Sequence, residues 1–404
     1  MSARFILTLF IPVLTSCVSY EREEASPQSV ADTVAARTSG VLSIDAAIQL
    51  ALDQNPELRA LEARARGAAA ATTVALPTQG EWRGRNEVVG IMLDPIALLG
   101  IGPRGAAISA AEAQHVEAMQ ALAVGRWRVI AAIVEEFLID DALHNLSVVD
   151  LQLEANAFVT AGLASPLAAS QLRAAQAKAL SEQVELDRAR HDSEARLRQL
   201  LGLPRSASIT MQGMPDDWLL QPSGSDPELL TRPDLALSTA KFEVADAKFR
   251  KAVAEQYPSF QIGPNFSLRG DPLRGMGMLR IPIGMHGHAE AARESREAAR
   301  LDLESAFLQA RREASLNEEN LLAASTLSEA TGSALQASAT AFEAARGAIE
   351  VEVDAFSDFA NTARMVMRDT SEHRRASVAN ARATIRRAVA FGWPCTQLLA
   401  GDQQ

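Results

Sequence analysis

The sequence predicts a mainly α-helical protein with a small β part, in which long antiparallel helices pack as coiled coils. Three observations carry this. Aromatic residues are only 5% of the 404 positions while alanine is abundant, which is the usage of long, closely packed helices. Two stretches, Gly105 to Gly162 and Gly287 to Gly347, read as single helices of about 57 and 60 residues, or ~85 to 90 Å each, and no compact globule holds such a rod. Two shorter stretches alternate apolar and polar residues with period two, as strands do. The formal net charge of -11 lacks the basic footprint that nucleic acid requires, so nucleic acid is not an expected partner.

Arg4 precedes an apolar run from Phe5 to Leu14, followed by Leu14-Thr15-Ser16-Cys17. This reads as an export signal over residues 1–16. It resembles the lipobox of bacterial lipoproteins, in which the cysteine is acylated, with palmitate among the chains, and begins the mature protein. Cys17 is then the lipidated residue, and Val18 after it is similar to outer-membrane lipoproteins. An ordinary signal peptide with a cysteine near its cleavage site is the alternative. Cys395 is the one other cysteine and reads as a small hydrophobe, since no clustered thiol or histidine neighbours it in sequence. No mature segment supplies ~18 uninterrupted apolar residues, so a transmembrane helix is not expected and any crossing needs a closed β-barrel.

Residues 17–40 read as an irregular, lipidated tether. The chain beyond is duplicated. Asn55-Pro56-Glu57-Leu58 recurs as Arg232-Pro233-Asp234-Leu235, each opening an Ala-rich helix that runs to Pro77 or Pro258. A hairpin follows in each copy, at about 78–103 and 258–284, and then the long helix. In the first of these, Ile108, Met119, Leu122, Ile130, Ile133 and Phe137 recur at sums of three and four, a stripe for packing on neighbouring helices. Second long helices return to Leu201-Gly202-Leu203-Pro204 and Phe391-Gly392-Trp393-Pro394, glycine then proline being a stop signal. The copies span 41–203 and 232–392, joined by a Pro/Gly/Ser/Asp-rich connector at 204–231 and followed by a tail at 393–404.

The second hairpin is the sharper. Phe260, Ile262, Pro264, Phe266 and Leu268 alternate with polar residues, and beyond Gly270-Asp271-Pro272 the residues Leu273, Leu279, Ile281 and Ile283 share one parity against Arg274 and Arg280. Strands of this length with one oily and one polar face suit an outer-membrane barrel, although a hairpin on a soluble core gives the same pattern. In the first copy a strand from Glu81 to Met92 alternates poorly, with Val89 and Ile91 out of pattern, before Asp94-Pro95 and the apolar run Ile96 to Ile101. Even the smallest outer-membrane barrels need about eight strands, so two hairpins oblige the chain to oligomerise.

No Gly-rich phosphate loop, nucleophile elbow or HExxH is present, and an enzyme is not expected. His286 and His288 flank Gly287 without a third ligand, so no metal or other cofactor is expected. Glu135, Glu136, Asp140 and Asp141 read as a solvated helix face.

The residues Leu42-Ser43-Ile44-Asp45-Ala46-Ala47-Ile48 to Asn55-Pro56-Glu57-Leu58, Arg232-Pro233-Asp234-Leu235 and Leu200-Leu201-Gly202-Leu203-Pro204 resemble the outer-membrane efflux protein (TolC-type) family over about residues 41–392. The resemblance implies a homotrimeric α-barrel capped by one shared transmembrane β-barrel, four strands per protomer, at the bacterial outer membrane and extending into the periplasm. It implies a channel for efflux or type I secretion that docks on a periplasmic adaptor and an inner-membrane pump. Ala161-Gly162-Leu163-Ala164-Ser165 and Gly347-Ala348-Ile349-Glu350-Val351 are similar to the family's periplasmic helix-turns, which makes Gly162, Leu163, Ser165, Gly347 and Ile349 the adaptor-docking tips. Glu350, Glu352, Asp354 and Asp358 then fall at the periplasmic entrance, where threefold symmetry would make carboxylate rings that favour cations. On charge alone they are equally a solvated acidic face. The competing reading is a lipid-anchored periplasmic adaptor or scaffold without a pore.

Overall fold

The computed structural model describes residues 26–35, 37, 40–72, 78–83, 88–93, 102–144, 165–213, 229–267, 274–280, 286–349 and 356–393. Helix α1, Pro27–Ala35, lies inside the stretch expected to be irregular. Its start explains the correction: Ser26 Oγ accepts the Ser29 N–H at 3.1 Å, and Pro27 takes the first helical position.

Strand β1, Val41–Leu42, leads into α2, Ile44–Gln54, whose N-cap Ser43 accepts the Ala46 N–H. Then come α3, Pro56–Thr72, strands β2, Thr78–Arg83, and β3, Val88–Leu93, and helices α4, Pro103–His144, and α5, Pro166–Leu200. The connector contributes β4, Thr210–Met211, which pairs in parallel with β1. The second copy repeats the order with α6, Pro233–Ala254, β5, Ser259–Ser267, β6, Arg274–Arg280, α7, His286–Ile349, and α8, Phe356–Ala390. At 64 residues α7 is ~96 Å long, as the sequence requires. The expected continuation of α4 to Gly162 lies outside the described residues.

Each copy pairs one long helix with two shorter ones set end to end. Asn55 is the N-cap of α3, its Oδ1 accepting the Glu57 and Leu58 N–H groups at 2.9 and 3.1 Å. Its Nδ2 meanwhile donates to Leu200 O at 2.8 Å, the last carbonyl of α5. At the other joint Arg232 makes only the second kind of bond, Nη1 donating at 3.0 Å to Ala390 O, where α8 ends, with no side-chain cap on α6. Both returning helices close alike. Gly202 (φ +65°) and Gly392 (φ +88°) take the left-handed conformation. Leu203 N donates to Arg198 O and Trp393 N to Ala388 O, so the terminal carbonyls are satisfied before the following proline. Gly202 admits no side chain, because a Cβ there would lie 2.8 Å from both Gln54 O and Arg37 Nη1. Arg37 itself donates to Gly202 O at 2.7 Å and Gln54 O at 3.3 Å, tying the N-terminal segment to this joint.

The largest core sits beside that joint, where Ile44, Ile48 and Leu58 meet Ile133, Phe137, Leu197 and Leu201. Of the stripe read from the sequence, Leu122, Ile130, Ile133 and Phe137 are buried, but Met119 is 46% exposed.

The two hairpins form one antiparallel sheet in the order β2-β3-β5-β6. The second hairpin is as expected. The first is not: Thr78 pairs with Leu93 and Arg83 with Val88, so the single strand expected from Glu81 to Met92 is two antiparallel strands, while Asp94-Pro95 lies outside the described residues. Val89 and Ile91 do not break an alternation, because they belong to the returning strand, where Val89 is opposite Trp82. Register places positions Val89, Leu93, Phe260, Ile262, Phe266 and Leu279 on one face of the sheet, and Gln261, Asn265, Ser267, Arg274 and Arg280, together with Val88, Met276 and Met278, on the other. The β3·β5 ladder skips the positions opposite Gly263 and Pro264, where proline has no N–H to donate.

Asn55→Ala and Asn55→Asp separate capping from joining. Alanine is expected to cost about 1–3 kcal/mol by losing both bonds. Aspartate keeps the cap but sets a carboxylate against Leu200 O, so it too should lower the thermal midpoint; a midpoint unchanged for aspartate would show that only the cap matters.

Candidate functional site

The end of the bundle where α5 and α8 begin and α7 ends is sealed by Leu172, Phe342, Phe356, Phe359 and Met367, with the Phe342 and Phe359 rings 5.1 Å apart. Ser165 caps α5 there, its Oγ accepting the Ala168 N–H at 3.2 Å, ahead of Pro166. Gly347 and Ile349 form the last turn of α7. Asp358 is exposed in the first turn of α8. Cys17, Gly162, Leu163, Glu350, Glu352 and Asp354 lie outside the described residues. The structure thus brings Ser165, Gly347, Ile349 and Asp358 to one end of the bundle.

Farther along the α5–α8 seam the core turns polar. Glu182 is 2% exposed and meets Lys178 at 2.5 Å, Ser371 at 2.6 Å and Arg374 at 2.7 Å. Burial pushes its carboxyl upward, but the hydrogen bonds from Lys178 and Ser371 and the charges of Arg374 and Lys178 outweigh that and hold it below the ordinary carboxylate value. Asp369 and Thr370 are buried beside it. Sequence reasoning missed this cluster, although buried α5 positions at Leu172, Ala175, Glu182, Leu186, Ser193 and Leu197 follow the stepping of a helical seam and put a carboxylate in a core place.

Beyond an apolar step of Ile139, Leu143 and Leu186, α4 and α5 are joined by Glu136. It accepts Arg196 Nε at 2.5 Å, Arg196 Nη2 at 3.0 Å and Ser193 Oγ at 2.7 Å. The hydrogen bonds to Glu136 raise the Arg196 pKa against the effect of its burial. The reading of Glu135, Glu136, Asp140 and Asp141 as one solvated face is therefore corrected: Glu136 is buried, because α5 packs on that side and brings a matching guanidinium. Glu135, one residue back, turns the other way toward Arg382 at 3.6 Å.

At the second joint Arg232 is 5% exposed and binds Asp234 at 2.6 Å and Glu313 at 3.0 Å, its guanidinium 5.7 Å from the Trp127 ring. Burial opposes its charge, yet these hydrogen bonds more than offset it and raise its pKa. Two open grooves flank these pairs. One of about 440 Å³ is walled by Arg128, Glu135, Arg232, Glu313 and Arg386. The other, of about 470 Å³, is walled by Glu185, Arg188, Asp192, Arg374, Arg375 and Arg382. Among the described residues no group of three His, Cys, Asp or Glu is placed to hold a metal, and no helix is long and apolar enough to cross a membrane.

Long helices abut end to end at two joints, and the two hairpins share one antiparallel sheet. The fold is that of the outer-membrane efflux channels, the TolC type. CusC matches with TM-score 0.69 and 15% identity over 86% of this chain and 92% of its own. A membrane protein from Pseudomonas aeruginosa gives 0.68 and 19% over 86% and 90%. The Campylobacter jejuni CmeC outer membrane channel gives 0.68 and 13% over 86% and 85%. No protein-family model matches the sequence, and no curated protein matches it significantly.

Because the Glu182 pKa is depressed in the folded chain, its contribution to stability is complete above the ordinary carboxylate range and is lost as pH falls through the folded value. Thermal midpoints should therefore fall below about pH 4.5, and Glu182→Gln should flatten that acid limb while lowering the neutral midpoint. Identical acid limbs for the two proteins would refute the assignment.

Proposed function

We propose that the chain is the outer-membrane channel subunit of a tripartite efflux or type I secretion system. In this reading it is a homotrimer, anchored to outer-membrane lipid through acylated Cys17 and exporting its cargo passively. The four-stranded sheet carries the reading. Among the described residues β2 and β6 are its outer strands, so their outer backbone groups need partners. A sheet this narrow cannot close on itself, whereas three copies give a barrel of about 12 strands, within the range of outer-membrane barrels. Leu279, 60% exposed on the apolar register face, suits contact with lipid acyl chains. The kinship in fold with CmeC, an outer membrane channel, supports the same reading. A poreless scaffold would give the sheet no reason to present so apolar a face as that of Val89, Leu93, Phe260, Ile262, Phe266 and Leu279.

The helix tips at Gly162, Leu163, Ser165, Gly347 and Ile349 would dock a periplasmic adaptor that links to an inner-membrane pump. A conduit of this kind needs no catalytic group, and the selective element at its mouth would be the carboxylates Glu350, Glu352, Asp354 and Asp358.

Semi-native gels of the membrane fraction should show a heat-labile trimer. A Cys17→Ser chain that emerges as a water-soluble monomer would sink the proposal. In planar bilayers Asp354→Asn with Asp358→Asn should lower the preference for cations about twofold or more. Unchanged selectivity would remove these residues from the entrance.

A further inference from the structure

We propose that unpaired arginines on the inner face of the helical wall form a belt that binds organic anions in transit. The proposal rests on the channel reading and names the cargo chemistry it favours.

The helical wall has two faces, and α4 shows which is inward. Its residues Ile130, Ile133 and Phe137 are covered by α2 and by the region of the β1·β4 pair. Such a layer inside the bore would fill the passage, so that face is outward. At 100° per residue Arg128 lies about 140 to 180° around the helix from those three residues, and is exposed on the opposite face. The 440 Å³ groove on that face joins Arg128 to Arg386 of α8. On α8, Arg375, Arg382 and Arg386 are all exposed and stand at i, i+7 and i+11, one face of the helix. The 470 Å³ groove continues this face to Arg188 of α5, with Leu143 of α4 at its floor, so α4 stands behind the groove and the groove opens away from it.

The first groove sets Arg128, Arg232 and Arg386 beside Glu135, Asp234 and Glu313, of which Arg232 holds the last two, and the second sets four arginines beside only Glu185 and Asp192. Arg382 is held at 3.6 Å by Glu135, and Arg188 only at 3.9 Å by Asp192. Arg128, Arg375 and Arg386 have neither hydrogen-bond nor ion-pair partner among the described residues. Three copies would point nine unmatched guanidiniums into one passage, in a chain whose net charge is -11. Repulsion between so many like charges is relieved by anions, and guanidinium forks suit carboxylate and sulfonate oxygens. The floors of the grooves are apolar: Ala131 and Val389 in one, Leu143 and Val378 in the other. Each groove has the volume of a site for a small organic molecule. The chemistry selected is thus an anion carrying an apolar body. Arg375 lies 17 residues along α8 from Asp358, or ~25 Å, several times the ~8 Å screening length at physiological salt, so belt and acidic mouth act independently.

The test uses the full-length acylated protein in planar bilayers at 0.1 M KCl, with 2-naphthalenesulfonate as the probe and uncharged 2-naphthol as its control. The sulfonate is expected to block the current at concentrations where naphthol does not, and Arg128→Gln with Arg375→Gln and Arg386→Gln should weaken the block at least about threefold, with step conductance retained. All three side chains are exposed and unpaired, so the variant keeps its folded contacts; an unchanged heat-labile trimer checks this. Equal block by naphthol, or equal block of the variant, overturns the belt while the channel stands. Absence of conductance steps from the unaltered protein overturns the channel reading, and the belt with it.

Discussion

A helix that ends within a wall leaves carbonyls with no partner on one side and N–H groups with none on the other. The first joint resolves both at once, and the second resolves the carbonyl side. Asn55 accepts from the opening turn of α3 and donates to the closing turn of α5, and Arg232 donates to the closing turn of α8 as α6 begins. The positive end of one helix dipole also meets the negative end of the other. With the ends satisfied, 17 and 35 residues of α3 and α5 act as one rod beside α4, and 22 and 35 residues of α6 and α8 as another beside α7.

The joints are pseudo-equivalent in place but not in chemistry. Asn55 works with a neutral amide in an apolar setting of Leu58, Leu197 and Leu201. Arg232 brings a buried charge that needs Asp234 and Glu313 to hold it. A buried cation stripped of those partners is costly, whereas an amide loses a hydrogen bond. Duplication therefore preserved a geometry and let the means diverge.

Much of this fold was legible in the sequence because its signals are local. Proline at the first helical position, glycine before the closing proline, and the length of α7 each depend on a few neighbouring residues. The second hairpin was readable for the same reason. The first was not, since the strand from Val88 resumes in the opposite parity to the one that ends at Arg83. Pairings between distant helices were illegible: nothing near Glu182 announces Ser371 and Arg374, 189 and 192 residues away, and nothing near Glu136 announces Arg196. A charge count cannot tell a buried carboxylate from a solvated one; only the partner that packs across it can.

Arg37 has a mechanical consequence. Its guanidinium grips Gly202 O and Gln54 O together, so a pull on the segment before it is delivered to mid-height of the rod rather than to β1. Load arriving there presses on the junction of α3 and α5, where two separate pieces of helix must stay aligned. The N-terminal segment is thus a stay fastened to the mast at its splice.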